Sequence, residues 1–315
     1  MPKKKIIIIG SGVSGLLCGK RLTEAGHSVL LIDKGRNAGG RLSTRRTDGA
    51  VFHHGASSLP DFYKHKDLPE FGLKTLKRAE REKVIHRKGD LFEPVSSVSH
   101  LVSFFAAGLT IQEGCEAISL NLQNKTIDVI CRRNSSKKIP YDLLIISIPP
   151  NQAKTLINNQ IDRFDNRLSE VEMRSSAAAL FSFDFDPELV KETHFSNENV
   201  DIYIENNRFK CVQQLFCLTV HTKEPFARKV VHTDKNKIKE LLLKQVSNVV
   251  PVSLPKPNYE AGHRWLYGFT ERALGKPYLF YTKESVGICG DWCSGSTILD
   301  AASSGIKLAE KVLNL

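Results

Sequence analysis

The residues whose types and spacing could do chemistry are few. They are the run Gly10-Ser11-Gly12-Val13-Ser14-Gly15, Asp33, the pair Gly39-Gly40 with Arg41 behind it, and a late Gly290-Asp291. The first run has the form G-x-G-x-x-G. There Gly10 permits a tight turn, Gly12 brings the backbone up to a pyrophosphate with no Cβ between them, and Gly15 lets a helix lie close against a strand. Ser11, Val13 and Ser14 complete a loop whose helical N–H groups have no intrahelical partner and suit phosphate oxygens. Asp33 is placed to accept hydrogen bonds from ribose hydroxyls. Binding of a dinucleotide is the chemistry this set implies.

These residues need a βαβ unit to position them, and the flanking sequence supplies one. Lys5-Ile6-Ile7-Ile8-Ile9 is the short β-branched run of a parallel strand buried on both faces. Leu16, Leu17, Lys20, Arg21 and Leu22 read as a helix closed by Gly26, and residues 28–32 rebuild a strand that ends on Asp33. Farther on, the pattern predicts a strand and turn over 50–56, a charged and weakly periodic excursion over 60–87, a helix over 97–105 and a strand over 109–111. A hairpin of 114–122 with 126–132 follows, then a buried strand over 141–149 closed by Pro149-Pro150. His53 and His54 are adjacent on a predicted strand, so one should point inward and the other into solvent.

From about 151 to 257 the texture changes to alternating strands. Phe181, Phe183 and Phe185 share one face there as core, and residues 234–249 form an amphipathic helix before the prolines 251, 255 and 257. The expected architecture is therefore α/β: a Rossmann-like nucleotide-binding domain, discontinuous in sequence, and a smaller mixed-sheet substrate domain. The boundaries read as 1–59, 93–150 and 258–315 for the first, 60–92 and 151–257 for the second.

The 315 residues carry a net charge of +11, but lysine and arginine are scattered and no aromatic residues interleave with a basic stripe. A nucleic-acid partner is not expected, and an anionic ligand accounts for the charge more simply. No stretch has membrane-spanning length, and the isoleucines after the basic start are too few for a signal peptide. Seven cysteines with no C-x-x-C pair suggest free thiols in a reducing cytoplasm, and no ligand set for a metal is apparent.

Near the end, His263-Arg264-Trp265-Leu266-Tyr267-Gly268 precedes Val286-Gly287-Ile288-Cys289-Gly290-Asp291-Trp292-Cys293. A last helix is announced by Thr297 and Asp300 at capping-box spacing, with Leu299, Ala302, Ile306, Ala309 and Leu313 along one face. Its N-terminus carries partial positive charge suited to a developing anion.

Taken in this order and spacing, residues 10–15, Asp33-Lys34, Gly39-Gly40-Arg41, the 145–149 strand, His263-Arg264-Trp265, Gly290-Asp291-Trp292-Cys293 and the final helix resemble renalase and its bacterial relatives, small members of the flavin amine oxidase superfamily. The resemblance spans nearly the whole chain and is weakest over 60–92 and 185–210. It implies an amine-oxidase-like two-domain fold and a non-covalent FAD. The implied activity is oxidation of isomeric, off-pathway dihydronicotinamide dinucleotides, with O2 as acceptor and H2O2 as product. The cofactor set it implies is Gly10, Ser11, Gly12, Val13, Ser14, Gly15, Asp33, Lys34, Gly40, Arg41, Leu42, Gly55, Ala56, Ile118, Gly290, Asp291, Thr297 and Ile298. His263, Arg264 and Trp265 would line or support the substrate side, in what is expected to be a cytoplasmic monomer.

Two departures bear on substrate. Relatives read Gly-Ala-Gln-Tyr-Phe where this chain has Gly55-Ala56-Ser57-Ser58-Leu59, and Glu where it has Asp300. An amine donor, with Tyr267, Trp265 and Trp292 as cage candidates, is a second reading. A non-catalytic FAD-binding protein is a third.

Overall fold

The isoleucines that follow Lys5 are buried because the strand Lys5–Ile9 runs through the middle of a six-stranded sheet. In the computed structural model, which describes residues 2–47, 49–132, 135–161, 164, 167–208 and 215–315, the strands of this sheet lie in the order Leu279–Tyr281, Val286–Ile288, Leu143–Ile146, Lys5–Ile9, Ser28–Asp33 and Thr110–Glu113. All pairings are parallel except that of Leu279–Tyr281 with Val286–Ile288. Alternation along the first strand sends Ile6 and Ile8 to one apolar cluster and Ile7 and Ile9 to another. On the first face lie the helices Val13–Glu24, Val98–Ala106 and Ile298–Leu313. On the second lie a small antiparallel sheet, Cys115–Asn121, Thr126–Cys131 and Ser135–Pro140, and the helix Pro150–Ile157.

The predicted βαβ unit, the hairpin, the helices after residues 97 and 234 and the capped last helix are present, and the strand expected over 141–149 runs from Leu143 to Ile146. Ser97 accepts from His100 N at the start of one helix, and Asp234 accepts from Asn236 N and Lys237 N at the start of Lys235–Val249. Thr297 and Asp300 form the expected capping box. The last helix lies on the first so closely that a Cβ at Gly305 would sit 2.1 Å from the Ser14 carbonyl oxygen.

A five-stranded antiparallel sheet stands against this unit, in the order His194–Ser196, Val200–Ile204, Phe216–Thr222, Glu172–Phe183, Tyr259–Arg272. One of its faces, with Ala177, Ala179, Phe181 and Phe183, packs on the Lys235–Val249 helix as expected. Its other face meets the strand Ala50–His53 through Leu180, Cys217, Ala50 and Phe52.

Three readings are corrected. The 60–87 excursion contains an amphipathic helix, Glu70–Arg81, that buries Gly72, Thr75, Leu76 and Ala79; its flanking segments put Phe62, Val84, Ile85 and Phe92 into the same cluster as Leu16 and Ile306. Residues 60–92 thus pack with the nucleotide-fold helices rather than with the antiparallel sheet. Cys115 and Cys131 are not free thiols: the hairpin sets them opposite one another, Cα atoms 4.0 Å apart, and a disulfide joins them. Cys18, Cys217, Cys289 and Cys293 are buried free thiols, and Cys211 lies outside the described residues. His53 and His54 are both buried, because a turn after His53 ends the strand and sheet packs over each ring. No helix among the described residues is long and apolar enough to cross a membrane.

Gly305→Ala should destabilise the protein by about 2 kcal/mol or more, because the added methyl must force two helix backbones apart. A lowered urea midpoint in the purified variant is the expected result.

Candidate active site

The glycine loop is built from backbone against backbone. Gly39 N donates to Ser11 O at 2.9 Å, Gly12 and Gly39 form an isolated parallel bridge, and a Cβ on Gly40 would lie 3.2 Å from Gly12 Cα. Gly39 and Gly40 have φ of +114° and +57°, which glycine adopts freely. The second glycine pair therefore threads along the first loop. Gly12 caps the Val13–Glu24 helix with no side-chain hydrogen bond and no acid in the first turn, and a Cβ on it would meet nothing within 4 Å. An open, uncapped helix N-terminus with room in front of it fits a pyrophosphate.

The carboxylate of Asp33 is bonded within the loop itself. Its Oδ2 accepts from Ser11 N and Ser11 Oγ, both at 2.7 Å, and its Oδ1 accepts from Gly35 N at 2.7 Å, so the carboxylate holds the loop in shape. Lys34 pairs with Glu116 at 3.6 Å, which brings the strand of the half-exposed Ile118 beside the same sheet edge.

Arg41 and Asp291, 250 residues apart, meet directly: the guanidinium Nη2 donates to Asp291 Oδ1 in a short contact, and Nη1 donates to Gly268 O at 3.2 Å. Asp291 Oδ2 accepts from Thr270 Oγ1 at 2.9 Å. Ala56 N donates to Arg41 O at 2.8 Å, and a Cβ on Gly55 would be 2.0 Å from that oxygen, so the return segment lies flat on Arg41. Leu42 is core. Gly290 N donates to Ser304 Oγ of the last helix, whose first turn is Thr297-Ile298.

Beside this link stands a cluster of imidazoles. His263 and Trp265 have ring centroids 4.3 Å apart, His54 lies 4.9 Å from His263, and Trp265 Nε1 donates to His54 O at 2.9 Å. His54 Nε2 bonds Ser43 Oγ at 3.0 Å. Burial, reinforced by His263, Arg45, His221 and His53, pushes the His54 pKa down to about 3. Burial, with Lys235, Arg45 and His221, takes His263 to about 4. Both rings are neutral at pH 7. Behind them His53 Nδ1 bonds Glu205 Oε2 at 2.7 Å in a fully buried pair, and Glu205 Oε1 accepts from His53 N and Thr219 Oγ1. Burial works to raise the Glu205 pKa, but the bond and charge of His53, with Arg208 and Thr219, outweigh it and leave it lowered.

Not every expected residue joins. Arg264 alternates to the opposite side of the strand from His263 and Trp265 and is exposed. Trp292 is 1 % exposed and donates to Ile148 O, so it is core and not part of a cage. Sequence reasoning missed Ser43, Glu205, Thr219 and Thr270, whose roles come from pairings distant in the chain and carry no local signal.

Residues 8–71 match the NAD(P)-binding Rossmann-like domain, and residues 79–313 match the flavin containing amine oxidoreductases. The chain belongs to the flavin-containing amine oxidoreductase family. Membership of that family indicates a flavin cofactor, FAD. Over 100 % of both chains its fold is similar to a putative protoporphyrinogen oxidase from Exiguobacterium sp. 255-15, with TM-score 0.71 and 11 % identity. A double mutant of putrescine oxidase with redesigned cofactor binding gives TM-score 0.66 and 12 % identity over 99 % of each chain. A 4,4'-diapophytoene desaturase of Staphylococcus aureus (strain Newman) is 40 % identical over 62 residues, which is 19 % of this chain and only 12 % of the desaturase.

Gly12→Val should fold, since the protein leaves its side chain free space, yet lose FAD, whose pyrophosphate needs that space. The check is flavin absorbance of a purified variant whose circular dichroism matches wild type. The histidines set a pH dependence. An imidazole harder to protonate folded than unfolded withdraws stability as pH falls from its ordinary 6.5 toward its folded value. For His54 the loss between pH 7 and pH 5 is about 2 kcal/mol. Urea unfolding at the two pH values should show a smaller loss in His54→Gln by about that amount.

Proposed function

We propose that the protein is a renalase-like oxidase. It takes hydride from isomeric, off-pathway dihydronicotinamide dinucleotides and passes the electrons to O2, giving NAD(P)+ and H2O2. Bound non-covalently, FAD supplies the acceptance of hydride. On this reading residues 1–59, 93–150 and 258–315 hold the cofactor. The first turn of the Val13–Glu24 helix and Gly12 receive the pyrophosphate, and Arg41 with Asp291 fixes the chain beside it.

The observation that carries the reading is the character of the His54, His263 and Trp265 cluster. Its imidazoles are neutral at working pH, His54 and Trp265 lie stacked at 5.8 Å, and the three rings offer a donor a wall that carries no charge. Tyr267 and Trp265 are two apart on one strand and do not face each other as a cage would. A dihydronicotinamide needs no proton removed by the protein before hydride leaves, so orientation and dryness suffice. His263 and Trp265 orient the ring, the antiparallel sheet excludes water, and the N-terminus of the Ile298–Leu313 helix stabilises negative charge that develops beside it. An amine donor is the second reading, favoured by the fold shared with putrescine oxidase.

Anaerobic mixing of the flavin-loaded protein with borohydride-generated dihydro-NAD isomers should bleach the band near roughly 450 nm within seconds, the flavin being the redox centre. Air should restore the band with peroxide, and NADH and a panel of amines should act far more slowly. Bleaching by amines alone establishes the second reading instead. No bleaching by any donor marks a protein that binds FAD without catalysis.

A further inference from the structure

The wall formed by His263 and Trp265 has a charged end. Tyr259, Ala261, His263 and Trp265 alternate onto one face of the strand Tyr259–Arg272, where Tyr259 stacks on Phe52 with ring centroids 5.6 Å apart. Arg45 stands beside Tyr259. It is the cross-strand neighbour of Phe52 in the hairpin of Thr44–Thr47 with Ala50–His53, so the two side chains leave the same face, and its Nη1 donates to Tyr259 Oη at 3.1 Å. Arg45 is exposed and, among the described residues, pairs with no carboxylate. Of the neighbouring acids, Glu260 leaves the opposite face of the strand and meets Lys239 at 2.7 Å, and the fully buried Glu205 is taken by His53. The charge of Arg45 is felt at both rings of the wall. Burial comes first in lowering the His54 pKa, followed by His263 and Arg45, and for His263 burial is followed by Lys235 and Arg45. Lys235 is exposed, and its backbone packs on Gly262, the residue before His263.

An uncharged aromatic wall with a cationic rim suits the two halves of one molecule. A protonated amine is repelled by the rim, whereas a dihydronicotinamide dinucleotide presents a neutral ring to the wall and, one ribose away, a diphosphate to the rim. The geometry points to Arg45 as a donor-binding residue that holds this diphosphate, an inference that rests on the dihydronicotinamide reading of the site. One guanidinium donor is spent on Tyr259 Oη, which orients the group, and the others remain for phosphate oxygens. Lys235 contributes at longer range, as a second positive charge on the same rim. Arg45 thereby favours dinucleotides over amines and over donors that lack phosphate.

Steady-state oxidation of borohydride-generated dihydro-NAD isomers by the FAD-loaded protein, compared with the phosphate-free isomers of dihydro-N-methylnicotinamide, tests this. Arg45→Gln should raise KM for the dinucleotide about tenfold, the worth of one charge-assisted contact, and change kcat by less than about twofold. Arg45→Lys, which keeps the charge but not the fork, and Lys235→Gln should each raise it only a few-fold. The exposed Lys229→Gln should match wild type. With the phosphate-free donor every variant should match wild type, and added salt should raise the wild-type KM for the dinucleotide alone. An unchanged KM for the dinucleotide in Arg45→Gln overturns the inference. So does an equal rise with the phosphate-free donor, which marks a structural role. Should Arg45→Gln lose its flavin or melt early, the criterion passes to wild type, where a dinucleotide KM indifferent to salt overturns it. If no dihydronicotinamide bleaches the wild-type flavin, the functional reading falls and this inference with it; bleaching with an unchanged KM in the variant strikes this inference alone.

Discussion

The buried carboxylate of Asp291 is the constraint on which the arrangement rests. Only 5 % of its side chain is exposed, and its two oxygens are taken by Arg41 and Thr270. These come from the loop after the second strand and from the long strand Tyr259–Arg272. A carboxylate so placed cannot be left unpaired without a penalty of about 3–5 kcal/mol, so the three segments must meet whenever the chain is folded. Arg41 can reach Asp291 only because Gly39 and Gly40 let its strand-like segment run along the glycine loop, and because Gly55 leaves its carbonyl room. The glycine loop and the antiparallel sheet are thus placed by one ion pair.

A second tie fixes the roof from the other side. His53 and Glu205 are both fully buried, and Glu205 also holds Thr219 and the His53 backbone. The strand Ala50–His53 is clamped between sheet and nucleotide fold, and the next residue, His54, presents its carbonyl to Trp265 and its ring to Ser43. The imidazole and indole that face the proposed donor are therefore oriented by backbone and hydroxyl contacts, not by charge. Burial then keeps the rings neutral, which is consistent with a site whose work is positioning and exclusion of water.

What was legible in the sequence was what repeats locally. The isoleucine run, the glycine fingerprint, the Thr297–Asp300 capping box and the Phe181–Phe183 alternation each declare themselves within a few residues, and each is where it was expected. The pairing of Arg41 with Asp291 was beyond reach: both residues were recognised, but nothing in either neighbourhood says that they touch. Glu205 sits in Glu205-Asn206-Asn207-Arg208, which has no periodicity to distinguish it from a solvated turn. Arg264 was grouped with His263 and Trp265 by adjacency in a motif, whereas a strand separates neighbours and unites residues two apart. Cys115 and Cys131 met because the hairpin register set them opposite one another, and a register that precise is not written in the strand patterns that predicted the hairpin.

The altered Gly55-Ala56-Ser57-Ser58-Leu59 segment is the place where loss of activity would be suspected. Ser57 Oγ accepts from Arg208 Nη2 at 2.7 Å, and Arg208 in turn stacks on Tyr203 at 4.4 Å and stands 3.9 Å from Glu93. The small hydroxyl of Ser57 docks on a buried arginine, Arg208, the last residue of the helix that carries Glu205. The same helix fixes both Ser57, through Arg208, and His53, through Glu205. The hydroxyl of Ser57 thus ties the return segment to the short helix whose Glu205 holds His53.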